Sequence, residues 1–345
     1  MTSRLRIVQV VCTDAFAGVE RYVTTLGRAL AQDGCDVVVV GGDGKRMGPA
    51  LAEAGAHWMA NKSPVATLAR LLRHRSSTDV VHAHMTQAEL AAVLSSSFVH
   101  VPVVATRHFA QHRGSSPAAR LVGRILTRRI AAQLAISQYV AQRTEGKSVV
   151  VVPGTPAPAA LRRADEREQV VLVAQRLELE KRTDLAIRAW RESGLAAKGW
   201  RLWIAGDGRE RCGLEALAAS IGVDSSCDFI GVRRDIDALQ QRASIVLAPR
   251  PDEPLGLSVI EAMAAGTPVV AAAGGGHLET VGQCPGAALY PPFEVAEAGR
   301  LLADLATDRL RRDSYGMALR EVHGEFFSVE RQVAQTLDVY RSVLA

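Results

Sequence analysis

Short, continuous apolar runs alternate along the chain with stretches in which apolar residues recur every three or four positions. Apolar runs predict buried strands, and the wider spacing predicts amphipathic helices. In the first half, strands are predicted at 5–12, 37–40, 80–82, 101–106, 133–136 and 149–152, and helices at 18–32, 47–54, 65–75, 89–99 and 117–130. Strands that are apolar throughout are typical of a parallel sheet covered by helices on both faces.

A segment rich in proline and glycine, residues 153–158, separates this half from a second one with the same rhythm. There, strands are predicted at 170–174, 201–205, 228–230, 245–248 and 269–272, and helices at 183–193, 211–221, 235–242 and 257–265. We therefore predict an α/β protein of two doubly wound parallel-sheet domains, residues 1–155 and 160–325. A C-terminal helical segment, 326–345, is expected to pack back toward the N-terminal domain. Ligands bind such sheets at the carboxyl ends of the strands, so the site is expected in a cleft between the two facing domains.

Composition narrows the class of protein. The chain has 345 residues, 48% of them hydrophobic and 22% charged, which excludes a disordered or collagen-like chain. The sequence shows neither a run of 18 apolar residues nor a signal-peptide pattern, so we expect a cytoplasmic protein. The five cysteines lie far apart, which favours buried thiols over disulfides or zinc ligands.

Charge is distributed unevenly along the chain. Residues 1–160 carry 18 basic and 9 acidic side chains, whereas residues 161–345 carry 23 and 27. The basic half predicts an anionic partner: nucleic acid, a membrane surface or a phosphorylated substrate. Aromatic residues make up only 5% of the chain and are not interleaved with basic stretches, which argues against nucleic acid.

Residues 249–270 (PRPDEPLGLSVIEAMAAGTPVV) carry the most informative pattern. Pro254 suits the first turn of a helix, which would leave three backbone N–H groups free at its start, those of Leu255, Gly256 and Leu257. Free N–H groups at a helix start bind anions, and a glycine there lets a phosphate approach closely. The alternative is a capped surface helix whose two glutamates are solvated.

The same stretch resembles the E-x7-E motif of the retaining glycosyltransferases of family 4. Other segments match this family in order: residues 17–22 resemble its N-terminal glycine loop, 79–84 a DVVHAH strand end, 105–108 the segment with the active-site histidine, 175–181 the GRLxxxKG loop, and 273–279 the GGxxE loop. The matches span roughly residues 5–290. The resemblance implies the GT-B fold of two facing Rossmann-like domains. It also implies transfer of a sugar, with retention and without a metal or other cofactor, from a UDP- or GDP-sugar to a hydroxyl acceptor such as a lipid-linked or cell-envelope glycan.

Positive charge is needed where a nucleoside diphosphate departs, because negative charge develops on its phosphates. Arg176 and Lys181, five residues apart after a predicted strand, are candidates for that role, and a solvated basic turn is the alternative. Gly18, at the start of a predicted helix, would bring backbone N–H groups to the same phosphates.

The remaining site residues come from the resemblance. It implies that Glu261 holds the ribose hydroxyls, that Glu253 contacts the donor sugar, and that His108 contacts the same sugar. His82 and His84 lie on one face of a neighbouring strand end, an arrangement that also occurs in metal pairs. They have no carboxylate or cysteine partner at ligand spacing, so no metal is expected.

A basic helix is predicted over residues 117–130. Arg120, Arg124 and Arg128 recur every four residues and line one face. Further arginines extend this basic patch: Arg107, Arg113 and Arg129. Two interpretations are open: a helix that binds the inner membrane surface peripherally and approaches a lipid-linked acceptor, or an ordinary solvated helix that packs its apolar side on the sheet.

Three other functions compete with glycosyl transfer. A nucleotide-sugar epimerase or a phosphorylase would share the fold. A non-enzymatic Rossmann-type nucleotide-binding module would share the sheet, but no GxGxxG follows the first strand. The sequence does not identify the sugar, the base or the acceptor.

Overall fold

The computed structural model describes residues 4–73, 77–114 and 116–345. These residues form two compact units. Unit 1 consists of the residues up to Gly154 together with Val329–Ala345, and unit 2 consists of Thr155–Ser328. Unit 1 is therefore built from two separate parts of the chain, and unit 2 is inserted between them.

Unit 1 contains a seven-stranded sheet in which neighbouring strands are parallel. Its strands are β1 (Arg6–Val11), β2 (Asp36–Val40), β3 (His57–Met59), β4 (Val80–His84), β5 (Val103–Arg107), β6 (Ala132–Ala135) and β7 (Val149–Val150). They lie in the order β3-β2-β1-β4-β5-β6-β7, so the strand order reverses beside β1, as in doubly wound sheets. The connecting helices are α1 (Gly18–Gln32), α2 (Gly44–Glu53), α3 (Pro64–Arg73), α4 (Thr86–Val99), α5 (Pro117–Arg129) and α6 (Gln138–Ala141). The end of the helix predicted at 65–75 lies outside the described residues.

The central strands of unit 1 are buried because both faces of the sheet are covered. Val10, Val39 and Val104 are fully buried, in line with the continuous apolar runs. The register aligns Val11 of β1 with His84 of β4, and His84 in turn with Thr106 of β5. The polar ends of β4 and β5 therefore lie side by side at the carboxyl edge of this sheet.

Unit 2 contains a six-stranded parallel sheet with the order β10-β9-β8-β11-β12-β13. Its strands are β8 (Glu168–Ala174), β9 (Arg201–Ala205), β10 (Cys227–Gly231), β11 (Ala243–Ala248), β12 (Val269–Ala272) and β13 (Ala288–Tyr290). Its helices are α7 (Thr183–Ser193), α8 (Arg211–Ser220), α9 (Ile236–Arg242), α10 (Leu257–Ala264), α11 (Val295–Thr307) and α12 (Arg309–Phe326). The last helix, α13 (Val329–Leu344), belongs to unit 1.

The prediction of two parallel-sheet α/β units is confirmed. Within the described ranges, no helix combines the length and the apolar character needed to cross a bilayer.

Candidate active site

The candidate residues fall into two groups, one in each unit. In unit 2, Glu253 lies in an ion cluster with Lys181 and Arg250. Nζ of Lys181 donates to Oε2 of Glu253 at 2.8 Å, and Nη1 of Arg250 lies 3.6 Å from the same oxygen. The three side chains are only 14–17% exposed, so water screens their charges weakly. Burial alone would raise the pKa of Glu253, but the two cations outweigh burial and lower it.

The loop after β8 places Lys181. Nε2 of Gln175 donates to the backbone oxygen of Lys181 at 3.0 Å, which fixes the end of the loop. Arg176 points to the surface of unit 2, where it is 58% exposed and donates to Glu180 at 3.0 Å. Of the two cations predicted for this loop, Lys181 therefore joins the cluster with Glu253 and Arg176 does not.

A run of three glycines, residues 274–276, packs against the backbone that carries Glu253. The N–H of Gly276 donates to the backbone oxygen of Glu253 at 2.7 Å. A Cβ on Gly275 would lie 2.4 Å from that oxygen, and Gly275 has a φ of +55°. Only glycine allows this approach, because any side chain would push the two segments apart. The glycine run thus positions the Glu253 loop.

The start of α10 agrees with the helix predicted over 257–265, but the placement of Pro254 in its first turn is wrong. Helix α10 begins at Leu257, and its N-cap is Gly256, whose φ of 93° and ψ of 67° are incompatible with a helix. Pro254 and Leu255 therefore lie in a turn before the helix, not in its first turn. The left-handed conformation of Gly256 is the reason, because it ends the turn and redirects the chain. Glu261 lies in the second turn of α10 and is half-buried.

His277 follows the glycine run and was not singled out from the sequence. Its ring is buried, and its Nδ1 lies 3.1 Å from the backbone oxygen of Ala272. A carbonyl oxygen only accepts, so Nδ1 carries the proton. A Cβ on Gly256 would lie 3.4 Å from Nε2 of His277, which places the imidazole beside the start of α10. Burial lowers the pKa of His277, and nearby Lys181 and Arg250 act in the same direction.

In unit 1, His82, His84 and His108 form a buried group, here called the histidine cluster. Nδ1 of His84 lies 3.1 Å from Nε2 of His108. His82 bonds to the hydroxyl of Tyr340 through Nδ1 at 2.6 Å and to the hydroxyl of Thr106 through Nε2 at 2.7 Å. The cluster thus connects β4, β5 and α13 at the carboxyl edge of the sheet.

The three rings are neutral at pH 7. Burial lowers the pKa of His82 and of His108 to about 3, and that of His84 well below its ordinary value. Neighbouring histidines and Arg107 lower these pKa values further, because a second positive charge nearby is unfavourable. A neutral imidazole donates from one nitrogen and accepts at the other.

A buried ion network holds the segment that follows His108. The guanidinium of Arg113 is fully buried and contacts the carboxylate of Glu89, and it lies 2.9 Å from Glu145. Arg107 is also buried and donates to the backbone oxygen of Gln111 at 2.6 Å. The prediction that Arg107 and Arg113 belong to an exposed basic patch is therefore wrong, because buried carboxylates pair with them inside the unit.

Gly18 is the first residue of α1. The carboxylate of Glu20 lies at the same helix start, where it accepts from the N–H of Ala17 at 2.9 Å and from the hydroxyl of Thr13 at 2.6 Å. Glu20 is buried, so the chain itself already places one negative group at this helix end.

Helix α5 exposes both charged and apolar side chains. Arg120, Arg124 and Arg128 are exposed, as predicted from their spacing. Leu121 is 60% exposed and Ile125 52%, so they do not pack on the sheet. Helix α5 buries Gly123 and Leu126 instead.

Among the residues with described positions, no group of three or more His, Cys, Asp or Glu side chains is arranged to hold a metal ion. The histidine cluster is thus explained by hydrogen bonds between its members and neighbouring hydroxyls.

Two family models match the chain. The model described as Glycosyltransferase Family 4 matches residues 16–154, and the model described as Glycosyl transferases group 1 matches residues 160–322. The D-inositol 3-phosphate glycosyltransferase of Kribbella flavida is 31% identical over 316 residues, which are 79% of this chain and 73% of that protein. The 2-deoxystreptamine glucosyltransferase of Streptomyces kanamyceticus is 29% identical over 312 residues, 79% of this chain and 80% of that protein.

Solved structures share the fold across the whole chain. HepE of Anabaena, in complex with UDP and glucose, has a TM-score of 0.82 at 18% identity and covers 98% of this chain and 100% of its own. A glycosyltransferase from Rickettsia africae ESF-5 has a TM-score of 0.79 at 16% identity and covers 99% of both chains. Together with the two Rossmann-like units, these likenesses confirm the predicted GT-B fold. The matched family models and the 31% identical relative show that this chain is a glycosyltransferase and belongs to family 4.

Proposed function

We propose that the chain transfers a sugar from a nucleotide-sugar to a hydroxyl acceptor, with retention and without a metal. The donor that we propose is a UDP-sugar. The ion cluster of Lys181, Glu253 and Arg250 carries the proposal. It combines a carboxylate with fixed positive charge beside the start of α10, in the unit matched by the group 1 model. The structure of HepE with UDP and glucose supports a UDP-linked donor.

The phosphates of the donor are the proposed partners of the positive groups in unit 2. Lys181 and the backbone N–H groups from Leu255 to Leu257 stabilise the charge that develops on the departing diphosphate. Arg176 is the second cation of this loop. When the donor binds, Arg176 releases Glu180 and contacts a phosphate of the donor. Glu261 accepts hydrogen bonds from the ribose hydroxyls. In unit 1, the backbone at Gly18 serves the same phosphates.

Glu253 and His108 are the proposed catalytic residues because both would touch the donor sugar. The lowered pKa of Glu253 makes it a weak base and a good acceptor for sugar hydroxyls. The acceptor oxygen then attacks the anomeric carbon from the face that the diphosphate leaves. The C–O bond to the phosphate breaks, and the acceptor proton passes to the departing phosphate oxygen. That route retains the anomeric configuration.

A donor screen with matched variants tests the proposal. The purified chain is incubated with UDP- and GDP-sugars in the presence of EDTA, and the product anomer is read by NMR. Glu253→Gln is expected to lower kcat/KM about 100-fold, because the anionic acceptor is lost. Glu215→Gln, on α8 and 44% exposed, is the control and is expected to stay within about 2-fold of the unchanged chain. Inversion, a requirement for metal, or full activity of Glu253→Gln would contradict the proposal.

We further propose that the acceptor is borne by an anionic membrane surface. The observation in favour is the exposed apolar pair Leu121 and Ile125 on the helix that carries Arg120, Arg124 and Arg128. Apolar side chains beside arginines are typical of helices that lie in a membrane interface. In this proposal the chain is a peripheral protein of the inner membrane face.

The competing acceptor is a soluble cyclitol, since the names of the two relatives specify rings of that kind. Sedimentation with vesicles that contain anionic lipid distinguishes the two. Replacing the three arginines of α5 by Gln is expected to lower vesicle binding about 100-fold, at roughly 1 kcal/mol for each charge. The control replaces three exposed arginines outside α5 by Gln, namely Arg163, Arg300 and Arg341, and is expected to change vesicle binding less. Unchanged vesicle binding, or transfer to free inositol phosphate alone, would reject the membrane proposal.

A further inference from the structure

The hydrogen bond between His84 and His108 has a direction that the surrounding atoms determine. We propose that His84 is a positioning residue: it donates from Nδ1 to Nε2 of His108, so that His108 presents an Nδ1–H to the substrate. This inference rests on the proposed role of His108 at the donor sugar. It specifies which tautomer His108 adopts and identifies His84 as the residue that determines it.

The geometry requires one donor and one acceptor. Nδ1 of His84 and Nε2 of His108 are 3.1 Å apart, and both side chains are buried. Two neutral imidazoles at this distance share a single proton between the facing nitrogens. Either His84 donates and His108 accepts, or the reverse.

The other nitrogen of His84 decides between these two arrangements. In the part of the chain that the structure describes, Nε2 of His84 is buried and has no hydrogen-bond partner. A buried N–H without an acceptor is less favourable than a buried lone pair without a donor. The proton of His84 is therefore on Nδ1, and Nε2 carries the lone pair. His108 must then accept at Nε2 and hold its own proton on Nδ1.

Ring packing keeps His108 in this orientation. The ring of Tyr22 meets the ring of His108 edge-on, with centroids 4.8 Å apart at 82°, and it lies 5.5 Å from the ring of His84. The ring of His82 also lies 4.3 Å from that of His84. Packed against these two buried rings, His84 cannot turn its Nδ1 away without displacing them.

Burial supports the same assignment, because it keeps both rings neutral. The groups that face the pair are the rings of His82 and Tyr22 and the guanidinium of Arg107. Burial lowers the pKa of His108 to about 3, and the positive charge of Arg107 acts in the same direction. A protonated His108 would donate from both nitrogens and would lose the bond from His84.

The chemical consequence is that His108 is a neutral hydrogen-bond donor. No described residue hydrogen-bonds to its Nδ1. A neutral N–H recognises an oxygen lone pair, such as that of a sugar hydroxyl or of a phosphate, without adding a positive charge. With the other tautomer, His108 would offer only a lone pair and would select a hydroxyl proton instead.

The test reads the tautomer directly. Two-dimensional ¹H–¹⁵N NMR of the imidazole nitrogens in the full chain distinguishes a protonated from an unprotonated Nδ1 of His108. The expected spectrum has His108 protonated on Nδ1 and His84 on Nδ1. A spectrum with His108 protonated on Nε2 would overturn the inference, whatever the enzymatic activity proves to be. A failure to transfer sugar, with the expected tautomer, would instead reject the proposed function alone.

Variants separate positioning from stability. His84→Leu is expected to return His108 to the Nε2–H form that histidine prefers in water and to lower kcat about 10-fold. His84→Asn keeps a side-chain N–H near the position of Nδ1 and is expected to restore the Nδ1–H signal and most of kcat. Tyr340→Phe is the control, since it removes a buried hydrogen bond of the same cluster, the one to Nδ1 of His82, but keeps the rings that pack on His84 and leaves the tautomer of His108 unchanged. An unchanged His108 signal in His84→Leu would overturn the inference, and the spectrum of the unaltered chain decides the question if that variant fails to fold.

Discussion

Replacing Gly275 by Ala should separate the Glu253 loop from the glycine run. The added Cβ would stand 2.4 Å from the backbone oxygen of Glu253, whereas ordinary contact begins at 3.4 Å. The two segments must therefore move apart by about 1 Å, and a displacement of that size at a reacting group costs roughly 100-fold in rate. The left-handed φ of +55° adds about 1–2 kcal/mol of backbone strain. We expect kcat/KM to fall about 100-fold, while the melting temperature of the protein falls by only a few degrees.

The control for this variant is Gly194→Ala. Gly194 has a similar φ of +63°, but a Cβ there meets no atom within 4 Å, so it carries the backbone strain without the displacement. Initial rates with a fixed nucleotide-sugar and thermal melting are measured for both variants. Equal loss of activity in the two, or unchanged activity in Gly275→Ala, would refute the argument that the glycine run positions Glu253.

Three further predictions concern the stability of unit 1. Tyr340→Phe removes the hydroxyl bonded to Nδ1 of His82 at 2.6 Å, and chemical denaturation should show a loss of about 1–3 kcal/mol; no loss would contradict the buried bond. Arg113→Met removes the cation that contacts the buried carboxylate of Glu89 and leaves it only Arg107, 3.7 Å away; it should cost about 3–5 kcal/mol in the same assay, whereas a loss under about 1 kcal/mol would contradict it. Lowering the pH from 6.5 towards 3 should destabilise the fold. In this range the three histidines of the unfolded chain bind protons, whereas those of the buried histidine cluster stay neutral. The free energy of unfolding should fall by about 1.4 kcal/mol per pH unit for each histidine that stays neutral, and a flat profile over this range would contradict the burial.

The parallel sheets were predictable because their central strands are buried on both faces. The runs at β1, β9 and β12 are apolar apart from Arg6, Gln9 and Arg201, and they were placed within a residue or two. The short edge strands β3 and β13 escaped prediction, since three residues give no period and β3 carries a histidine and a tryptophan. Helices α11 and α12 also lay beyond the predicted elements, although their apolar residues do recur at helical spacing.

The candidate site was predictable as a set of residues but not as a set of contacts. Sequence spacing gave Lys181 and Glu253 separate roles, because nothing local indicates that residues 72 apart form an ion pair. The helix over 257–265 was predicted from its apolar spacing, but Pro254 was assigned to its first turn, since the left-handed conformation of Gly256 leaves no mark on apolar periodicity. Arg107 and Arg113 were counted as surface charge because their buried carboxylate partners, Glu89 and Glu145, are distant in the sequence.

The composition of unit 1 from two separate parts of the chain has a consequence for biosynthesis. A ribosome makes β1 to β7 first, then all of unit 2, and only then α13 with Tyr340. Domains commonly fold in the order in which they are made. Here the first sheet made stays without one of its covering helices, and His82 without the hydroxyl of Tyr340, until unit 2 has been translated. A nascent chain stalled before residue 329 therefore carries a complete C-terminal unit and an open N-terminal one, and chaperones or proteases that act during translation meet unit 1 first.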